Sequence, residues 1–249
     1  MFPGHYAELS PNKPAVIDAA TGSILTYKQL DDSANKISNL LRSHGLQVGD
    51  HIAICIENHP RYFEIIWGCH YAGLIYTACS SRLTSDELSY IINDCGAKAY
   101  ITSKYKADQA TEILNTTPGV DLRLMIDGTV SGYESFEDAL AQCSVTPLNE
   151  RIDGTDMLYS SGTTGRPKGV RLEFARSPLG TPNALTGLGQ FLFSFNEDVV
   201  YLSPAPLYHA APLRFDGATR KRSRRFEHGR VVAPHDGDRR QHHRHRRST

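Results

Sequence analysis

The chain has 249 residues, with 27 basic and 27 acidic side chains and 40% hydrophobic residues. That allows one large or two small globular domains with a sizeable core. It contains no stretch near the ~18 apolar residues of a membrane span. The neutral balance conceals an asymmetry. Residues 214–249 carry 12 basic and four acidic side chains, a net of +8, and five of the 11 histidines, leaving 15 basic and 23 acidic residues before them. The chain therefore changes in nature near residue 214.

In chain order, "AVIDAA" (15–20) reads as a strand. Residues 26–45 read as a helix: Thr26 caps it, Gln29 stands at capping-box distance, Leu30, Ala34, Ile37 and Leu41 share one face, and Gly45 stops it. "HIAICI" (51–56) is a strand, and residues 60–73 form a helix opened by Pro60. "LIYTACS" is a strand, and residues 84–96 form a helix with Thr84 and Glu87 in capping-box spacing. Strands follow at "AKAYITS" and "LRLMID", with helices at "KADQATEILN" and "SFEDALAQ". This alternation predicts an α/β fold with a largely parallel sheet. Further on come a strand-like "TDMLY", a helix around "NALTGLGQFLFSF" (183–195), a strand at "DVVYLSPAP" and a loop at "LYHAAP" (207–212).

The five cysteines, Cys55, Cys69, Cys79, Cys95 and Cys143, are odd in number and form no C-x-x-C pair. They read as reduced, buried thiols of a cytoplasmic protein, not as a disulfide framework or a zinc site. The opening "MFPGHYAELSPNKP" has no basic region followed by an apolar core, so no secretory signal is expected.

The stretch richest in chemistry is "LYSSGTTGRPKGV" (158–170). Its glycines permit close approach of a ligand to the main chain. Ser160, Ser161, Thr163 and Thr164 add hydroxyls, and Lys168 adds a mobile positive charge. Pro167 bars continuation as a helix or central strand. A cluster of this kind is often only a loop, yet N–H groups, hydroxyls and a lysine together suit phosphate oxygens. The triphosphatase loop G-x-x-x-x-G-K-[ST] does not fit: counted from Gly162, the second glycine falls on Pro167, and Gly169 follows Lys168. Following "TDMLY", the loop stands where α/β folds place phosphate loops, at a strand's carboxyl end.

With these stretches in view, the chain resembles the adenylate-forming superfamily, and within it the fatty-acyl-CoA synthetases or long-chain fatty-acid–CoA ligases. "YSSGTTGRPKGV" resembles the family's phosphate-loop signature at nearly every position. "TYKQLDDSANKISNLLRSHGLQVGDHIAI", "YAGLIYTACSSRLTSDELSYIINDCGAKAYI" and "PLYHAAP" resemble its other landmarks in order, from about residue 8 to about residue 213. The resemblance implies that residues 1–213 are part of the large N-terminal AMP-binding domain. It implies an activity in which a carboxylate attacks the α-phosphate of ATP and CoA then takes the acyl group as a thioester. It assigns Ser160, Ser161, Gly162, Thr163, Thr164 and Gly165 to the β- and γ-phosphates and Lys168 to the loop or the pyrophosphate. It implies ATP, Mg²⁺, CoA and a fatty acid as cofactors and substrates. It also places His209 beside the acyl and nucleotide pockets, although His209 reads equally well as a polar residue packed at a strand end.

Several features depart from the family. The family's Tyr-Gly-x-Thr-Glu motif, its ribose-binding aspartate pattern and the lysine of its small C-terminal domain have no counterpart in these residues. The sequence therefore reads as a truncated, inactive member of a ligase lineage, with a non-catalytic nucleotide-binding remnant as the alternative. Residues 214–249 show no period of two or 3.6 and read as a disordered, Arg/His-rich tail. The tail is either a basic arm that would bind nucleic acid or anionic surfaces, or a stretch translated out of frame. The abrupt end of the family pattern favours the second, and with it no nucleic-acid partner.

Overall fold

The structure is a computed structural model that describes residues 2–160, 166–171, 173–182, 187, 191–192, 200–203, 205–210, 213 and 225–228. It is a layered α/β fold, as the alternation predicts. Helix α1 (Pro3–Leu9) leads into strands β1 (Pro14–Asp18) and β2 (Ile24–Thr26). Helix α2 (Tyr27–Ser43) starts at a full capping box: Gln29 N–H donates to Thr26 Oγ1 at 3.2 Å, and Thr26 N–H donates to Gln29 Oε1 at 2.8 Å. Strand β3 (His51–Cys55) is followed by α3 (Arg61–Ala72), which ends at Gly73 with a left-handed φ of 65°.

Strand β4 (Ile75–Ala78) precedes α4 (Ser85–Asp94), opened by the reciprocal Thr84–Glu87 box. Next come β5 (Ala97–Ser103), a 3₁₀ turn (Lys104–Lys106), α5 (Ala107–Glu112), β6 (Leu122–Ile126), β7 (Glu134–Ser135) and α6 (Phe136–Ala141).

The main sheet has six strands in the order β7-β6-β5-β3-β4-β8, where β8 is Thr155–Asp156, and every pairing is parallel. The period of two sorts its side chains onto two faces. Ile52, Ile54 and Ile56, with Ala99, Ile101, Leu122, Leu124 and Ile126, meet the apolar faces of α2 and α3. Ala53, Cys55, Tyr100 and Met125 point the other way, towards Leu88, Ile91 and Ile92 of α4 and Ala110 of α5. Both faces are buried, which is why these strands read as continuous apolar runs in the sequence.

The run expected as one strand over "TDMLY" divides at Met157. Met157 N–H still donates to Tyr76 O at 2.9 Å. Strand β9 (Leu158–Ser160) then takes its partner from β10 (Lys168–Val170) in a separate antiparallel pair. Lys168, expected in a loop after Pro167, is thus the first residue of a strand. Proline ahead of a two-stranded ribbon removes no ladder bond, so it does not bar the pairing.

Gly187, Phe191 and Leu192 are helical, and the rest of the helix expected over 183–195 lies outside the described residues. A second sheet has the order β11-β12-β1-β2, with β11 at Val200–Ser203 and β12 at Arg225–His228. The four residues of β12, within the stretch expected to be disordered, pair in parallel with β1 and β11. One edge of β1 is paired with β2 and the other with β12. The remainder of 214–249 lies outside the described residues. Among the described residues no helix is long and apolar enough to cross a membrane.

Candidate functional site

The segment that delivers the glycine loop is fastened to α2 and α3 before it enters the sheet. The Arg151 guanidinium lies 4.4 Å from the Tyr71 ring centroid and donates to Asn35 Oδ1 at 2.6 Å. His70 Nδ1–H donates to Asp153 Oδ1 at 2.7 Å, since a carboxylate only accepts. Gly154 N–H donates to His70 O at 3.1 Å. A Cβ on Gly154 would stand 2.5 Å from Leu74 O and 2.7 Å from Cys69 O, so only glycine lets the chain pass this close to the end of α3.

Beyond this anchor the chain leaves the carboxyl end of the main sheet through β9. Ser160 and Lys168 are direct cross-strand partners, so their side chains share one face of the ribbon, and both are exposed. Ser160 Oγ also donates to Lys168 O at 3.4 Å. Among the described residues no carboxylate pairs with the Lys168 ammonium.

The opposite face of the ribbon is held down. Tyr159 faces α4, and at its partner Gly169 the Met157 methyl group and the Tyr159 ring fill the space that a Cβ would take, the ring 3.0 Å from it. Arg166 lies over the Tyr90 ring at 5.4 Å. Ser161, Gly162, Thr163, Thr164 and Gly165, the tip of the loop, lie outside the described residues.

His209 sits on a separate turn. Its ring lies 4.6 Å from that of Tyr208, and its N–H donates to Pro206 O at 3.2 Å. Leu207 and Tyr208 pack into the apolar core beside it, while His209 is exposed. No hydrogen bond or ring contact among the described residues joins His209 to Ser160 or Lys168. Both segments nevertheless belong to the carboxyl edge of the sheet. The turn is tied to Asn58, just past β3, and the ribbon continues from β8. Strands β3 and β8 are two spacings apart, about 10 Å.

The chain runs from β3 outward to β4 and returns on the other side to β5, so the edge beside Asn58 is the topological switch point. That is where open parallel sheets bind ligands. The sequence reading missed Asn58, Tyr90, Asp94 and Tyr159. Tyr159 and Arg166, both inside the stretch 158–170, could have been singled out from local sequence.

A parallel sheet with helices on both faces, and a two-stranded ribbon bearing Ser160 and Lys168 beyond its carboxyl end, defines a layered α/β domain. Residues 5–217 match the family model described as "AMP-binding enzyme", and the chain belongs to that family. It is 31% identical over 210 residues to a 2-succinylbenzoate–CoA ligase from Oceanobacillus iheyensis, covering 83% of this chain and 39% of the relative. It is 28% identical to a crotonobetaine/carnitine–CoA ligase from Proteus mirabilis, covering 82% of this chain and 40% of that one. The chain thus spans about two-fifths of the length of these curated relatives. The N-terminal domain of FACL13 from Mycobacterium tuberculosis shares the fold, with a TM-score of 0.74 at 23% identity, over 90% of this chain and 55% of that one.

Proposed function

We propose that this chain carries the ATP-phosphate site of an acid–thiol ligase that activates a fatty acid by adenylation and passes the acyl group to CoA. The carboxylate oxygen attacks the α-phosphorus of ATP, and the bond from that phosphorus to the bridging oxygen breaks, releasing pyrophosphate. The CoA sulfur then attacks the acyl carbon and AMP departs, leaving a thioester. Negative charge gathers on the departing pyrophosphate, so a preorganised cation and hydrogen-bond donors lower the barrier.

The observation that carries this reading is Lys168, exposed directly across from Ser160 and paired with no carboxylate among the described residues. Its ammonium, the Ser160 hydroxyl and the 161–165 tip are assigned to the β- and γ-phosphates. His209 is assigned to the acyl and nucleotide side of the same edge. Family membership and the ligase names of the relatives support the reaction class. The relatives act on different acids by name, so the fatty acid is the finer part of the proposal. Among the described residues no group of three or more His, Cys, Asp or Glu is placed to hold a metal ion. The charge compensation assigned to the protein is that of Lys168, and Mg²⁺ would travel with the phosphates.

Titration calorimetry of the 249-residue chain with ATP and Mg²⁺, beside Lys168→Ala, tests the reading, together with pyrophosphate release in the presence of a fatty acid and CoA. Loss of the lysine should weaken ATP binding roughly ten- to a hundredfold with the melting temperature unchanged. Equal affinities would remove Lys168 from the site. Binding without pyrophosphate release would favour a nucleotide-binding role without turnover.

A further inference from the structure

We propose that Asn58 is a positioning residue for His209, an inference that rests on the assignment of His209 to the proposed site. Asn58 uses both ends of its side-chain amide on one turn. Its Oδ1 accepts from Leu207 N–H at 2.9 Å, and its Nδ2 donates to Ala205 O at 3.3 Å, across 149 and 147 residues of sequence. These two bonds fix both ends of Ala205–Leu207, two residues before His209. The turn closes on itself through His209 N–H to Pro206 O at 3.2 Å. Buried Leu207 anchors its apolar side, and the Tyr208 ring lies against the imidazole.

Asn58 is itself braced on either side. Ser103 Oγ, at the end of β5, donates to Glu57 Oε2 at 2.5 Å. His59 Nδ1 accepts from Arg61 N–H at 3.1 Å, so its proton sits on Nε2, which faces Asp127 Oδ2 at 3.2 Å just beyond β6. Residues 57 and 59 are therefore tied to the neighbouring strands, and residue 58 is held rigidly at the switch point of the sheet. A side chain anchored in this way sets the position of what it holds.

The geometry of the clamp makes specific demands. An aspartate keeps the acceptor for Leu207 N–H but loses the donor and sets negative charge against Ala205 O. Alanine loses both bonds. Because the bonds hold the turn and not the sheet, their loss should move the imidazole and leave the fold in place.

The test uses the full 249-residue chain as wild type, Asn58→Ala and Asn58→Asp. Amide hydrogen exchange is read at Leu207, with Ile54 in β3 as the reference, and the His209 imidazole signal is followed by ¹H–¹³C NMR after assignment with His209→Gln. In Asn58→Ala, Leu207 should exchange roughly ten- to a hundredfold faster while Ile54 and the melting temperature hold, and the His209 signal should shift. In Asn58→Asp, Leu207 should stay protected while His209 still shifts. An unchanged His209 signal in both variants overturns the proposal, and so does acceleration of Leu207 and Ile54 in step, the mark of a merely structural residue. Neither readout needs ATP. A chain that binds no nucleotide would therefore sink the proposed function, and these measurements would still decide whether Asn58 places the imidazole.

Discussion

Tyr159 donates its hydroxyl proton to Asp94 Oδ2 at 2.5 Å, tying the strand that leads into the glycine loop to the last turn of α4. Four residues earlier on the same helix face, the Tyr90 ring receives Arg166 from the far side of the loop. Burial first, and then the carboxylate, keep the Tyr159 phenol protonated well above its ordinary range. Tyr159→Phe removes the bond and keeps the ring. Asp94 is exposed, so the loss should be near the low end for a charge-assisted bond, about 1 kcal/mol. In a chain of this size that lowers the melting temperature by roughly 2–4 °C. Scanning calorimetry reads it, and an unchanged melting temperature would mean that the ribbon is held by other contacts.

Gly154→Ala should be far more damaging. Its Cβ would meet Leu74 O, Cys69 O and His70 Cα at 2.5, 2.7 and 3.0 Å, all backbone atoms that no rotamer change can move aside. Such overpacking costs about 3 kcal/mol or more. Gly119 is the matched control, because a methyl group there would meet nothing within 4 Å and its φ is not left-handed. Gly119→Ala should fall within about 0.5 kcal/mol of wild type. Urea unfolding of both variants checks the contrast, and equal midpoints would refute the close passage at Gly154.

Local chemistry explains why the helices and most strands could be read in advance. Thr26 with Gln29 and Thr84 with Glu87 are three residues apart, and Gly45 stands two residues past its helix, so each signal lies inside the window it governs. The parallel sheet was legible because strands buried on both faces are apolar throughout. Of the candidate site the sequence offered the glycine loop and His209, but not the contacts that hold them. Asn58 is 147 residues or more from the backbone groups that it binds, and Tyr159 is 65 residues from Asp94. No period or spacing encodes such pairs. The break at Met157 was hidden for a related reason: "TDMLY" has one composition, and two different partners divide it.

The buried thiols make stability fall in alkaline solution. Burial raises Cys55 and Cys95 from 9.0 to about 11 in the folded chain. Between those values the folded state holds protons that the unfolded state has released. Stability is thus fully present below pH 9 and is lost as the pH rises towards 11, by up to about 1.4 kcal/mol per pH unit for each thiol. Urea midpoints at pH 8, 9 and 10 should fall progressively, and the slope should lessen in Cys55→Ala when each variant is compared with its own pH 8 value. Alkylation at pH 8 should label half-buried Cys143 well before Cys55, Cys69, Cys79 and Cys95. A flat stability profile, or early labelling of any of those four, would contradict the burial assigned to them.

Two tyrosines of α3 should respond in opposite ways to loss of the same atom. The Tyr71 hydroxyl donates to Asp31 Oδ1 at 2.6 Å and accepts from Gly4 N–H at 3.0 Å. Tyr71→Phe takes the hydroxyl donor from Oδ1 of a half-buried carboxylate whose pKa burial already raises, leaving Asn35 on Oδ2, and it leaves a buried N–H without its acceptor. That should cost about 2–3 kcal/mol. The Tyr62 hydroxyl is fully buried and has no hydrogen-bond partner among the described residues. A buried polar atom without a partner has lost its water for nothing in return. Tyr62→Phe should therefore be neutral or stabilising by up to about 1 kcal/mol, a rise of roughly 2–4 °C at most. Thermal melts of both variants at one pH decide the matter. If Tyr62→Phe melts as far below wild type as Tyr71→Phe does, the Tyr62 hydroxyl is bonded in solution, and the contrast between the two tyrosines of α3 does not exist.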